Sequence, residues 1–348
     1  MSALTTFGAL NSVATRRNLV QGAAGIGLSI PALGVFARGA SADAPFVPMA
    51  APHDGHVVIE TGAAPEGFKL YDPKLPAVEA GPKEINVTAI DATLPVSKDV
   101  NFVSWTYNGT IPGPVFRVVE GDTIDFTFSI DPDALIGHSL DWHAARVSPS
   151  EHYYTITQGE ELSYSFTAEY PGAFMYHCGT PPIVMHIAAG MHGALIVDPK
   201  EGWSDALEFV FVQSEYYLTD DGTGTDTMTT NYSKMLGNGA PDLTVFNGYA
   251  NQYVENPIDV PVDAPIRVFV VNSGPNVWSS FHVVGTIFDR AYLNANPKNE
   301  LHGLQSISIG PGDGAMVEFT LKQPGHYPFV NHAFGHATSG AVGLFNAI

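Results

Sequence analysis

The 348-residue sequence holds a single cysteine, Cys178. One thiol cannot build a disulfide framework, so it is either an inert core group or chemically employed. Positive charge is scarce as well: 15 Lys and Arg stand against 35 Asp and Glu, a net charge of −20 at pH 7. Such a surface repels phosphate, which sets nucleic acid aside as a partner. Solubility, or a basic protein partner, accounts for it. No run beyond the N-terminus approaches the ~20 apolar residues of a membrane span. Helical periodicity is equally hard to find, the best short stretch being 226–234 with Asp226 as its cap. What is present is 45% hydrophobic residues with 35 Gly and 26 Pro, the composition of a turn-rich β protein.

The N-terminus reads as a targeting segment. Thr15-Arg16-Arg17-Asn18-Leu19 precedes a Gly/Ala-rich stretch running to about Phe36, and small-residue cleavage sites follow at Ala40-Ser41-Ala42 or Ala42-Asp43-Ala44. The paired arginines resemble a twin-arginine export signal over residues 1–42. An ordinary secretory signal or an N-terminal anchor is the alternative, but the apolar stretch is too short and too weak for a stable span. Residues 1–42 carry Arg16, Arg17 and Arg38 and no acidic residue, so the exported remainder is more acidic still. A soluble periplasmic protein is expected.

Residues 43–84 form a polar lead-in, after which alternating apolar patterns and Gly/Pro turns begin. Residues 116–128 read as strand, turn, strand; 162–167 alternate again, 194–199 close a first unit, and 207–212 open a second. The two units look like an internal repeat. Tyr107-Asn108-Gly109, Gly121-Asp122, Pro171-Gly172 and Gly190-Met191-His192-Gly193 in the first are matched by Phe246-Asn247-Gly248, Val270-Val271-Asn272, Pro324-Gly325 and Ser339-Gly340-Ala341 in the second. The expected fold is therefore all-β, with two tandem β-sandwich domains over residues 85–200 and 201–348.

Cys178 has company. His138-Ser139-Leu140-Asp141-Trp142-His143 precedes it, His177 adjoins it, His186 follows eight residues later and Met191 five further. A blue-copper site needs a thiolate, two imidazoles and a weak axial thioether. The set resembles that of cupredoxin folds, in which one His comes from an early strand, here His138, and a late loop supplies Cys178, His186 and Met191. Strand geometry sorts the remainder, because neighbouring side chains point to opposite faces. If Cys178 faces its own copper, His177 faces outward, and Asp141 and His143 share that outward side while His138, Leu140 and Trp142 point inward.

Two imidazoles and a carboxylate are one protein ligand short of a second metal site. The second half offers His282 and His332, but has Asn331 where the first has Cys178, so it builds no blue site of its own. His332 lies just after that position and His177 just before it, which makes the halves complementary. A three-histidine site between the first half of one subunit and the second half of its neighbour is expected, closed head to tail in a homotrimer.

With these residues in view the chain resembles the copper-containing, NO-forming nitrite reductases. The matching motifs are Asn108-Gly109-Thr110-Ile111-Pro112-Gly113-Pro114, Asp141-Trp142-His143-Ala144-Ala145, Tyr176-His177-Cys178, Met185-His186 with Gly190-Met191, and Val330-Asn331-His332. The resemblance implies Greek-key cupredoxin-like domains and two coppers per chain. A type 1 copper would take His138, Cys178, His186 and Met191; a type 2 copper would take His143 and His177 with His332 of the adjacent subunit. Asp141 and His282 would be the catalytic pair, Val284 an apolar wall over nitrite, and Gln305 with Ser306 a support for His282. Nitrite would be reduced by one electron in denitrification, the donor being a c-type cytochrome or a small cupredoxin. Many relatives carry a glycine-rich stretch after the Asp-x-His-Ala-Ala motif; Arg146 to Tyr154 stands there in this chain, either lining the substrate entrance or packing at the surface. Gly179-Thr180-Pro181-Pro182 makes the Cys-to-His loop compact.

Two rivals fit less well. A laccase-like two-domain multicopper oxidase needs about eight histidines, mostly in His-x-His pairs, and the sequence contains no such pair. A non-enzymatic electron carrier would leave Asp141, His143, His177, His282 and His332 without a reason to occur together. His53, His56, His192, His302, His326 and His336 read as structural or exposed, His336 being the one to check for proximity to the second metal.

Overall fold

A computed structural model describes residues 62–348 apart from Gly224. The expected export signal (1–42), the first part of the lead-in, His53 and His56 lie outside the described residues. The strands of the first half are β1 (Lys83–Ser97), β2 (Val100–Tyr107), β3 (Phe116–Val119), β4 (Thr123–Ile130), β5 (Asp141–Trp142), β6 (Glu161–Thr167), β7 (Gly172–His177) and β8 (His192–Asp198). Next come β9 (Leu207–Tyr216), β10 (Leu218–Asp220), β11 (Thr227–Thr230), β12 (Leu243–Phe246), β13 (Ile258–Val260) and β14 (Ile266–Gly274). The last are β15 (Ser279–Val283), β16 (Phe288–Leu293), β17 (Glu300–Leu304), β18 (Ile307–Ile309), β19 (Gly314–Phe319), β20 (Gly325–Asn331) and β21 (Val342–Ala347).

Alternation explains the outer strands. In β4, Ile124, Phe126, Phe128 and Ile130 are buried while Thr123 and Asp125 are exposed, the period-2 pattern of a half-buried strand. By contrast β8 is buried along its whole length, because it is covered on both faces. One face joins the first core, where Ile85, Phe126 and Phe166 pack with Trp142, Tyr176 and Val197. On the other face Ala194 and Ile196, with Ala173 and Met175 of β7, meet Val210, Val212, Phe269 and Met316 of the second half.

The sheets are ordered β10-β11-β2-β1-β4-β6 and β3-β8-β7-β5 in the first half, and β12-β9-β14-β19-β16-β17 and β13-β21-β20-β15-β18 in the second. This is the expected all-β architecture of two Greek-key sandwiches in tandem. Residues past position 200 still serve the first sheet, since β11 pairs in parallel with β2 at Thr227–Asn101. Among the described residues no helix is long and apolar enough to cross a membrane.

The repeat extends to individual hydrogen bonds. Asn108 and Asn247 both have φ +55°, and each caps the neighbouring strand through its side chain, Asn108 Oδ1 accepting from Thr88 N and Asn247 Oδ1 from Val212 N, both at 2.7 Å. Gly190 (φ +118°) and Gly340 (φ +126°) end the corresponding loops. One expected match was displaced. The counterpart of Gly121-Asp122 is Asp263-Ala264, not Val270-Val271-Asn272: Gly121 N donates to Ala168 O at 2.8 Å as Asp263 N donates to Leu321 O at 2.9 Å, whereas 270–272 lie inside β14.

The helix expected over 226–234 is also corrected. Residues 227–230 are recruited as β11, and the helix runs Tyr232–Leu236 with Asn231 rather than Asp226 as cap, its side chain accepting from Lys234 N at 3.0 Å. Pairing with β10 and β2 outweighs the local cap signal. Short helices at Ile183–Ala188 and Phe334–Thr338, each one turn or so long, carried no readable period.

Candidate metal centres

Cys178 follows the last residue of β7 and is fully buried. His138 is held beside it by an isolated bridge to Ile156, and His186 comes from the helix Ile183–Ala188. Sγ of Cys178 lies 3.3 Å from His186 Nδ1 and 3.9 Å from His138 Nδ1, and the two Nδ1 atoms are 3.1 Å apart. These ligand atoms fall within 4.8 Å of one another, the one cluster of three such residues among the described residues. Met191 closes the loop: Cys178 N donates to its carbonyl at 3.2 Å, and its own N donates to the His186 carbonyl at 3.1 Å. Cys178 and Met191 share one core cluster.

Burial, and then the neighbouring His186, push His138 down to about 3, while burial takes His186 to about 4. Both imidazoles therefore stay neutral and available as ligands over the ordinary pH range. A thiol and two neutral imidazole nitrogens converging on one point are the donor set of a soft, imidazole-tolerant cation, and copper fits it.

A second group sits back to back with the first. Asp141 pairs directly with His177 in the β5–β7 register, and His143 follows at the end of β5. Leu140 and Trp142 are core residues, Asp141 is half-buried and His143 exposed, as strand alternation requires. Each of the two histidines spends Nδ1 on a carbonyl, His177 on Cys178 O at 3.0 Å and His143 on Gly312 O at 3.2 Å. That leaves both Nε2 atoms free, facing each other at 3.0 Å. Locking one ring nitrogen to a carbonyl to aim the other is the arrangement of metal-binding histidines. Desolvation and then His177 hold His143 below the ordinary imidazole value, with Asp141 opposing them.

Within the chain, no third histidine or carboxylate among the described residues joins this pair at a common ligand distance. His332 lies with His282 instead, their ring centroids 5.4 Å apart, and with Phe334 at 4.8 Å. His282 Nδ1 bonds to the backbone carbonyl of Gln305. Val284 is partly exposed just past β15, anchored through its N to Pro328 O at 2.7 Å.

Backbone contacts superpose the two halves residue by residue. Ser139 N points at Cys178 Sγ (3.5 Å) as Ser280 N points at Asn331 Oδ1 (3.0 Å). Cys178 N donates to Met191 O as Asn331 N donates to Ala341 O (3.1 Å), and Met191 N to His186 O as Ala341 N to His336 O (2.9 Å). Ser279, Asn331 and Ala341 thus replace His138, Cys178 and Met191, and His336 alone persists, bonded to Thr244 Oγ1 at 3.1 Å. By the same register Asp141 and His282 occupy one equivalent position in the two halves.

The Arg146–Tyr154 segment packs against the first core. His152 stacks edge-on to Tyr164 at 4.7 Å, Tyr153 OH donates to Trp142 O at 3.2 Å, and Arg146 pairs with Glu169 at 3.2 Å. Three residues near the sites escaped sequence reasoning. Trp105 covers the imidazoles of His186 and His138 at 4.8 and 5.6 Å. Ser139 Oγ accepts from Gly179 N at 3.0 Å beside the sulfur. Gly312 supplies the carbonyl for His143 across 169 positions of sequence. Only the Gly310-Pro311-Gly312-Asp313-Gly314 turn signal marks that last place, and it says nothing of a partner.

Comparison with known proteins agrees with this donor chemistry. A family profile described as multicopper oxidase matches residues 89–202. The copper-containing nitrite reductase of Neisseria meningitidis (serogroup A) is 34% identical over 81% of this chain and 73% of its own length. Among solved structures, the copper nitrite reductase from Nitrosomonas europaea superposes with a TM-score of 0.71 at 35% identity, over 77% of this chain and 94% of that one. The copper-containing nitrite reductase from Thermus scotoductus gives 0.70 at 32%, over 77% and 62%.

Proposed function

The chain belongs to the copper-containing nitrite reductases, an oxidoreductase family, and from that premise we propose that it reduces nitrite to nitric oxide with His138, Cys178, His186 and Met191 as the type 1 copper ligands and His143, His177 and the adjacent subunit's copy of His332 as the type 2 ligands. The observation that carries the proposal is the back-to-back placement of the two donor sets across one peptide link: Cys178 in one, His177 in the other. The reaction takes nitrite, one electron and two protons to nitric oxide and water. Bound copper would accept the electron at the first set and, at the second, bind nitrite oxygen as a Lewis acid.

The chain's own residues supply the rest. His143, His177 and the adjacent subunit's copy of His332 would hold the second copper while leaving it able to take substrate. Asp141, opposite His177 in the β-ladder, hydrogen-bonds the bound anion and hands it one proton. His282, held through Nδ1 by the Gln305 carbonyl, presents Nε2 as the second proton donor. Val284 walls the pocket with apolar surface. The subunits assemble as a homotrimer, the protein works in the periplasm in denitrification after loss of residues 1–42, and a c-type cytochrome or small cupredoxin supplies electrons. The acidic balance of the chain favours a donor with a basic face.

Substituting His332→Ala in the purified protein tests the proposal. Metal analysis should fall from two coppers per chain to one, the blue absorption should persist, and nitric oxide formation should cease. Loss of activity with both coppers retained would sink the intersubunit site.

A further inference from the structure

Asn331 stands where the first half holds the Cys178 thiol, and it is bonded into a group of buried side-chain amides. Gln213, Asn272 and Asn331 are all fully shut off from solvent. Amides are costly to bury unless their donors and acceptors are used, and these are used heavily. Asn331 Nδ2 donates to Gln213 Oε1 and to Trp278 O, both at 3.1 Å, and its Oδ1 accepts from Ser280 N at 3.0 Å and Ala333 N at 3.2 Å. Gln213 Nε2 donates to Asn272 Oδ1 at 3.3 Å. Asn272 Nδ2 donates to Val277 O at 2.8 Å and Ile309 O at 3.1 Å.

This chain of amides ends beside a histidine loop on each side, through side-chain contacts at one end and through the backbone of Asn272 at the other. At one end, Ser280 and Ala333 flank His332 from two sides: Ala333 follows it in sequence, and His332 N donates to Ser280 O at 2.7 Å. At the other end, Asn272 binds the β18–β19 turn through its backbone, accepting from Gly312 N at 2.7 Å and donating to Asp313 O at 2.9 Å. Gly312 O then takes the Nδ1 of His143. Gly312 sits at φ +83°, and a Cβ there would meet His143 Cε1 at 3.3 Å, so this position favours glycine.

We propose that Gln213, Asn272 and Asn331 are positioning residues for two type 2 centres at once, holding His143 for the chain's own centre and His332 for the neighbour's. The inference rests on reading His143, His177 and His332 as one intersubunit metal site. A buried, hydrogen-bonded polar network resists repacking, so it sets the two imidazoles before any metal arrives. In a closed ring, the same three amides in every subunit would give all the shared sites one common spacing.

Gln213 touches neither donor set, so Gln213→Met in the copper-loaded, assembled protein breaks the chain at its middle link. The blue absorption and type 1 spin-resonance signal should stay unmoved. The type 2 copper should bind about tenfold more weakly, the lower end of the effect seen for outer-shell partners, with altered hyperfine coupling. Type 2 affinity and hyperfine coupling equal to wild type would overturn the proposal. A second measurement needs no variant. In the wild-type protein, amide hydrogen exchange at Ser280, Gly312 and Ala333 should be equally slow with and without type 2 copper; loss of protection on copper removal would mean the metal holds these loops and the amides do not. Wild-type protein that binds no type 2 copper would defeat the underlying site reading instead, and that result is in hand before any variant is made.

Discussion

At the residue scale, His138, His186 and His192 are kept uncharged by burial before any metal is considered. His138 is pushed down to about 3, His186 to about 4, and fully enclosed His192 also to about 4, mainly by desolvation. All three lie below the ordinary imidazole value of 6.5, so the unfolded chain binds more protons than the folded one as pH falls. In copper-free protein their contribution to stability is complete above about pH 6.5 and is lost progressively as pH drops through 6.5 toward 4 and then 3. Denaturant midpoints of the copper-free form should therefore decline steeply across that window. A flat profile between pH 6.5 and 4 would show that burial does not govern these rings.

At the element scale, the two asparagine-glycine corners test how far the halves share one construction. Asn108 and Asn247 adopt the same left-handed backbone, cap the same strand position and donate to the carbonyl two residues before it (Asn86 O and Val210 O), but Asn247 is buried and also donates to Tyr253 OH. Replacement by Ala loses the polar side chain that tolerates positive φ in both cases. Asn108→Ala should cost about 1–2 kcal/mol. Asn247→Ala should cost about 2–4 kcal/mol, because it also strands Val212 N without its side-chain acceptor in the interior. Equal costs from urea unfolding would contradict that ordering. The corners were legible in the sequence as Asn-Gly signals. Strand β11 was not, since four residues of Thr and Met acquire a partner only when β10 and β2 arrive beside them.

At the scale of the whole molecule, buried charge links the halves. Glu208 takes Arg117 of the first half and Arg267 of the second, each at 2.8 Å, while Asp198 holds Arg117 and Glu318 holds Arg267. Arg267 is 1% exposed, so Arg267→Ala should cost about 2–3 kcal/mol by removing charged hydrogen bonds to Glu208 and Glu318, which keep Arg117 and Arg290 as remaining cations. Thermal unfolding measures this, and the blue spectrum of the folded variant should not change. The proposed intersubunit site has its own test at this scale. Chains carrying His143→Ala and chains carrying His332→Ala are each inactive under the intersubunit reading, yet co-expression should restore about one quarter of the sites in randomly mixed rings. No recovery in mixed trimers would count against a site shared between neighbouring subunits.

The sequence by itself determined the all-β class and the repeat, and it singled out His138, Cys178 and His186, which the fold brings together. Those follow from local rules: period-2 alternation, turn residues, and ligand types spaced along one loop. It also sorted His177 from Cys178, because adjacent residues on a strand face opposite ways whatever the surroundings. Tertiary structure alone decided which distant groups serve those residues: Gly312 behind His143, Trp105 over the imidazoles of His138 and His186, and two further buried amides joined to Asn331 at the position equivalent to Cys178. The physical reason is that a hydrogen bond or ring contact depends on distance in space, and 169 residues of sequence carry no record of a 3.2 Å approach.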